Sequence, residues 1–133
     1  MNGPEPSSLR TPLGRVRGLG AAKAGAGHFI QQRASAIALL FLTPYIAWSL
    51  VTVTQRPYAE VLAWMALPWN ALAVILFLGV SFHHARLGVQ VVIEDYITQP
   101  VTKAALLLLI NFAAITAIVG GAFAAARISF GAT

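Results

Sequence analysis

Apolar residues dominate three stretches of this 133-residue chain, roughly Ala34–Thr54, Trp69–Ile93 and Val101–Ala126. Most polar positions lie before and between them. An α-helix rises 1.5 Å per residue, so about 20 residues cross a hydrocarbon layer about 30 Å thick. Each stretch meets that length, and the pattern predicts three transmembrane helices. Pro44 falls inside the first, where a membrane helix tolerates it with a kink. Pro68 and Pro100 fall where the second and third should begin, a position at which the missing N–H matters least. Trp48, Tyr58, Trp64, Trp69 and Tyr96 lie near span ends, as interfacial aromatics do. Residues 55–67 read as a short connection with an amphipathic turn lying on the membrane surface. Residues 1–27 differ in kind. They form a Gly/Pro-rich basic arm, including Arg10-Thr11-Pro12-Leu13-Gly14-Arg15-Val16-Arg17, that is too polar to bury a core of its own. The expected organisation is that arm followed by a three-helix membrane domain over 28–133, an all-α integral membrane protein.

Composition narrows the chemistry. At 58% hydrophobic and 10% charged residues, the chain is too apolar for a small soluble domain. It has no cysteine, which excludes disulfides, a thiolate nucleophile and iron–sulfur ligation by this chain. Any metal must be held by histidine or carboxylate. The net charge of +5 is not a nucleic-acid signature, because five of the nine basic residues (Arg10, Arg15, Arg17, Lys23, Arg33) precede the first span. With three spans, Lys103 joins them on one side, against Arg56 and Arg127 on the other. Six against two places the N-terminus in the cytoplasm. The arm lacks the apolar stretch of a secretory signal, and its Glu5 and weak amphipathic pattern argue against a transit peptide.

The second span carries the chemistry. It contains His83-His84-Ala85-Arg86-Leu87-Gly88-Val89-Gln90 and ends in Glu94-Asp95-Tyr96. Ionisable groups are costly in hydrocarbon and usually face a cofactor, a water cavity or each other. His84 lies nine residues before Ile93, roughly 13 Å from the helix exit and close to mid-membrane. Gly88 and Asp95, four and eleven residues on, share its helix face. A glycine one turn from a histidine leaves a flat gap for a planar ligand, and an imidazole nitrogen facing that gap suits axial ligation of haem iron. A structural hydrogen bond to a neighbouring helix would satisfy His84 equally well. Adjacent residues diverge by about 100°, so only one of the two histidines can face the gap; packing or a hydrogen bond suits His83. Arg86, Gln90 and Glu94 form a polar stripe at four-residue spacing, in which Arg86 snorkels or pairs locally. Tyr96 fits both an interfacial aromatic and a hydroxyl donor. The Gly120-Gly121 pair and the alanines from Ala122 to Ala126 suit close helix packing.

The spacing His84-Ala85-Arg86-Leu87-Gly88, then Asp95-Tyr96, resembles the second helix of the hydrophobic membrane anchor subunit of succinate dehydrogenase (complex II), in its bacterial form. The segment Gly27-His28-Phe29-Ile30-Gln31-Gln32-Arg33-Ala34-Ser35-Ala36 and the arm segment Gly14-Arg15-Val16-Arg17-Gly18-Leu19-Gly20 resemble the same family. The resemblance implies that His84 is an axial ligand to the iron of a haem b shared with a second, cytochrome b type anchor subunit. It implies that Tyr96 contacts the quinone, with ubiquinone the expected acceptor, and that Asp95 sits beside it as a proton relay. Arg33 and His28 become candidates for haem-propionate or quinone-site electrostatics. The implied partners are an iron–sulfur subunit and a flavoprotein subunit, and the implied location is the bacterial inner membrane. Succinate oxidation would belong to those partners, since this chain has no flavin fingerprint and no soluble domain. The alternatives are a fumarate reductase anchor, using the same contacts in the opposite direction, and a cofactor-free transport or assembly protein whose polar stripe lines a pathway.

Overall fold

A computed structural model describes residues 22–131, and the arginine-rich part of the arm lies outside the described residues. The described chain is entirely helical: α1 Ala22–Val53, α2 Tyr58–Ala66, α3 Pro68–Tyr96 and α4 Pro100–Ser129. Helices α1, α3 and α4 are long and apolar enough to cross a membrane. Their 32, 29 and 30 residues make rods of about 43–48 Å, longer than the hydrocarbon layer requires. The apolar stretch marks only the part of each helix inside hydrocarbon. In α1 the excess lies at the start, where Ala22, Ala24 and Ala26 favour the helix ahead of the apolar span. His28, Gln32 and Arg33 therefore stand on the same continuous helix as the span itself.

Local chemistry explains the boundaries. Pro68 and Pro100 open α3 and α4, as the sequence predicts. Polar side chains cover carbonyls near the end of α1: Thr52 and Thr54 hydroxyls donate to the carbonyls of Trp48 and Leu50, and the Gln55 amide to that of Val51. Pro57 then ends the connection and α2 follows. The stretch expected to be a turn is thus a nine-residue helix. It is anchored by the buried Met65 and packs against all three long helices. Gly131, at φ 70°, terminates α4 in the left-handed region that glycine adopts without strain.

The long helices do not form a closed bundle. Helix α3 is central, with α1 on one side and α4 on the other, and α1 and α4 do not pack against each other. Leu87 on α3, 2% exposed, is the most completely buried side chain among the described residues. Gly121 lets α4 close on α3: a Cβ there would lie 2.9 Å from Leu78 Cδ1. Gly120 faces open space, so only one of the paired glycines serves close packing. Large apolar side chains point outwards along all three spans, among them Leu40, Phe41, Trp48, Leu109, Phe112 and Phe123. Such a surface suits lipid or further transmembrane helices, not water.

Candidate functional site

The site is built where the first half of α1 runs beside the second half of α3. His84 faces α1, and its Nδ1 lies 2.8 Å from the hydroxyl of Ser35, a buried residue. The same hydroxyl lies 2.8 Å from the Gln31 carbonyl and 3.1 Å from that of Gln32, the i−4 and i−3 positions of its own helix. His84 Nε2 has no hydrogen-bond partner among the described residues. One ring nitrogen is thus engaged across the helix pair and the other is free among the described residues.

One turn further along α3, Gly88 lines a cavity of about 630 Å³ between α1 and α3. A Cβ at Gly88 would touch nothing within 4 Å, so this position faces open space, but His84 itself does not line the cavity. His28, Gln32 and Arg33 border the cavity from α1, and Gln90 and Glu94 border it from α3. His28 Nε2 and Gln32 Oε1 are buried without a hydrogen-bond partner among the described residues, as is Arg86 Nε. Buried polar atoms normally find partners, so each marks a place where something beyond the described residues would fit. Arg33 packs its guanidinium over the Phe29 ring, 5.2 Å from the centroid, which holds a cation at the rim.

The polar stripe on α3 is only partly connected. Gln90 donates to the Glu94 carboxylate at 2.7 Å, and Lys103 reaches across from α4 to the Glu94 backbone carbonyl at 2.8 Å. Arg86 forms no hydrogen bond with Gln90 and no ion pair with Glu94 or any other described residue. His83 lines a separate groove, also between α1 and α3, with Gln31, Ala34, Ser35 and Ala38 on one side and Gly79 and Val80 on the other. Asp95 and Tyr96 stand exposed in the last turn of α3, Tyr96 at 80%, and neither borders the Gly88 cavity. The structure therefore gathers Arg33, His28 and Gly88 at one cavity, with His84 one turn away, and leaves Asp95 and Tyr96 at the helix end. Sequence reasoning assigned no role to Ser35 or Gln32. The available signal was a polar Gln-Gln-Arg-Ala-Ser run at the start of an apolar span.

The donor set has a definite character. No group of three or more His, Cys, Asp or Glu side chains that could hold a metal ion occurs among the described residues. The chain offers one imidazole nitrogen, an open glycine face, a nearby cation and unpartnered polar atoms. The open glycine face and the Arg33 cation fit a planar group with an anionic edge better than the described residues fit a metal ion they alone would enclose.

The comparisons agree along nearly the whole chain. Residues 7–120 match a family model described as the succinate dehydrogenase/fumarate reductase transmembrane subunit. The succinate dehydrogenase hydrophobic membrane anchor subunit of Paracoccus denitrificans is 31% identical over 122 residues, spanning 92% of this chain and 94% of its own. That of Rickettsia conorii is 29% identical over 112 residues, 84% and 89% of the two chains. That of Rickettsia bellii is 30% identical over 91 residues, 68% and 72%. With three helices able to span a membrane and a match of that extent, this chain belongs to the family of succinate dehydrogenase/fumarate reductase transmembrane subunits.

Proposed function

We propose that this chain is the small membrane anchor of a bacterial succinate:quinone oxidoreductase, in which His84 supplies one axial ligand to a b-type haem. The observation that carries the reading is the division of labour at His84: Nδ1 is held by Ser35, and Nε2 is left unpaired one turn from the open face of Gly88. The orphaned His28 Nε2 at that cavity supports it, because as an N–H donor it would meet an anionic edge, whereas Gln32 Oε1 accepts and needs a donor. Arg33 offers a fixed cation for carboxylates there. A b-type haem, when bound, supplies a one-electron centre within the membrane. A second anchor subunit provides the other axial ligand, while flavoprotein and iron–sulfur subunits oxidise succinate and deliver its electrons.

Quinone reduction consumes two electrons and two protons. It therefore needs a hydrogen-bond donor to a quinone carbonyl and a route to water. Tyr96, with its hydroxyl at the helix end, serves as the donor, and Asp95 beside it passes protons from the water phase. On the basic-residue count this end of the bundle faces the cytoplasm of a bacterial inner membrane. The family description also names fumarate reductase, and the same contacts would serve quinol oxidation.

The test is an absorption spectrum of the affinity-purified complex, oxidised and dithionite-reduced, with His84→Ala alongside. A b-type signal that the substitution abolishes or shifts supports the reading. A complex that assembles fully with no haem leaves a cofactor-free anchor, and an unchanged spectrum in the variant moves the ligand elsewhere.

A further inference from the structure

We infer that Ser35 is a positioning residue that sets the tautomer of His84 and thereby makes Nε2 the iron-binding nitrogen; the inference rests on the haem-ligand reading of His84. The Ser35 hydroxyl has one proton and three acceptors within reach: the Gln31 carbonyl at 2.8 Å, the Gln32 carbonyl at 3.1 Å and His84 Nδ1 at 2.8 Å. If that proton went to Nδ1, the serine oxygen would turn its lone pairs on the Gln31 carbonyl oxygen at 2.8 Å, a repulsive contact in a buried place. If it goes to the helix carbonyl, as serine within a helix commonly arranges, every contact is attractive. The hydroxyl donates to the backbone and Nδ1–H donates to the hydroxyl oxygen. In the neutral ring one nitrogen carries the proton and the other a lone pair. Fixing the proton on Nδ1 leaves the lone pair on Nε2, the nitrogen without a partner.

Two further effects follow from the same bonds. Orientation is fixed, because Ser35 is 7% exposed and its hydroxyl is tethered to its own helix, so the ring cannot swing without breaking a buried hydrogen bond. Electron donation toward a metal is strengthened as well. An Nδ1–H that donates to an oxygen pushes electron density toward Nε2, and the oxygen accepts better because it is itself donating to a carbonyl. A stronger donor nitrogen favours ferric over ferrous iron. Ser35 thus holds the haem at a lower reduction potential than an apolar residue would. It also couples the α1–α3 packing to the electronic state of the centre, since the bond spans the two helices.

The experiment is a redox titration of the haem in the purified complex for wild type, Ser35→Ala, Ser35→Thr and Ser35→Val, with haem content measured in each. Threonine and valine are nearly equal in size and differ in the hydroxyl, so this pair decides the matter even if the alanine variant fails to accumulate. The expected result is a raised midpoint potential, or haem affinity weakened about tenfold or more, in the alanine and valine variants, with threonine close to wild type. Equal potentials and equal haem content in threonine and valine variants overturn the role of Ser35. Full haem retention with an unaltered spectrum in His84→Ala fails the underlying ligand reading instead, so the two failures are told apart.

Discussion

Two polar clusters lie within the membrane domain, and they are finished to different degrees. Around the far half of α1, the Tyr45 hydroxyl donates to Asn70 Oδ1, and the Asn70 amide donates to the Trp64 carbonyl at 2.7 Å. That cluster ties α1, the end of α2 and the start of α3 together, and its hydrogen bonds close within the chain. Around the near half, Ser35 holds only the Nδ1 of His84, and His28 Nε2, Gln32 Oε1 and Arg86 Nε are buried with no partner among the described residues. A buried polar group without a partner is expensive, so a protein retains one mainly where something else completes it. The first cluster holds the chain together. The second is left open among the described residues, as the proposed ligand site would be.

The substitution with the largest expected effect attacks the unfinished side alone. Because a Cβ at Gly88 meets nothing among the described residues, Gly88→Leu should leave α3 and its packing intact and fill the face one turn from His84. Haem per assembled complex should fall to a small fraction of wild type, while the amount of anchor in the membrane, read by immunoblot, stays the same. Unchanged haem content would show that the planar group does not use that face. Next in size is Tyr96→Phe, which removes one hydroxyl and no packing from a residue that is 80% exposed. Loss of one hydrogen bond to a quinone carbonyl, worth about 1–1.4 kcal/mol, should slow succinate–quinone turnover by roughly five- to tenfold. Turnover with an artificial soluble acceptor should not change; an equal fall in both would indicate faulty assembly.

How far each cluster could be read from the sequence follows from what sets it. Helix length is set by membrane thickness, so three long apolar stretches announce three spanning helices, and Pro68 and Pro100 announce two of their starts. The same pattern is blind outside hydrocarbon, where Ala22 to Ala26 extend α1 and Pro57 introduces α2. His84 and Gly88 stand out because their relation is local, one turn apart on one helix. Ser35 does not, because its bond to His84 joins residues 49 positions apart through the register of α1 on α3. The Gly120-Gly121 pair shows the same limit. Small residues mark a helix that can be approached closely, but which of the two touches Leu78 depends on the rotation of α4. Gly121→Val should therefore weaken α3–α4 packing by about 1–3 kcal/mol and lower the thermal midpoint of the complex. Gly120→Val should leave that midpoint where it is. A reversed order would mean that α4 is rotated on α3.

The finished cluster yields the smallest effect and the sharpest contrast. Asn70→Leu removes both bonds, yet the Trp64 carbonyl keeps the Leu67 N–H, and only the Tyr45 hydroxyl, on a residue 42% exposed, is left seeking a partner. Tyr45→Phe strands Asn70 Oδ1 instead, on a residue only 7% exposed. Stranding the more deeply buried atom costs more, so Tyr45→Phe should destabilise the complex further than Asn70→Leu. Both should fall within about 0.6–1.7 kcal/mol, the range for interhelical hydrogen bonds in membranes. Combining the two removes donor and acceptor together and should recover part of the loss. Thermal midpoints of the three variants, with the haem spectrum recorded on each sample, check this. A haem spectrum that changed with any of them would mean that the two halves of the domain are not energetically separate, and that the closed cluster also serves the site.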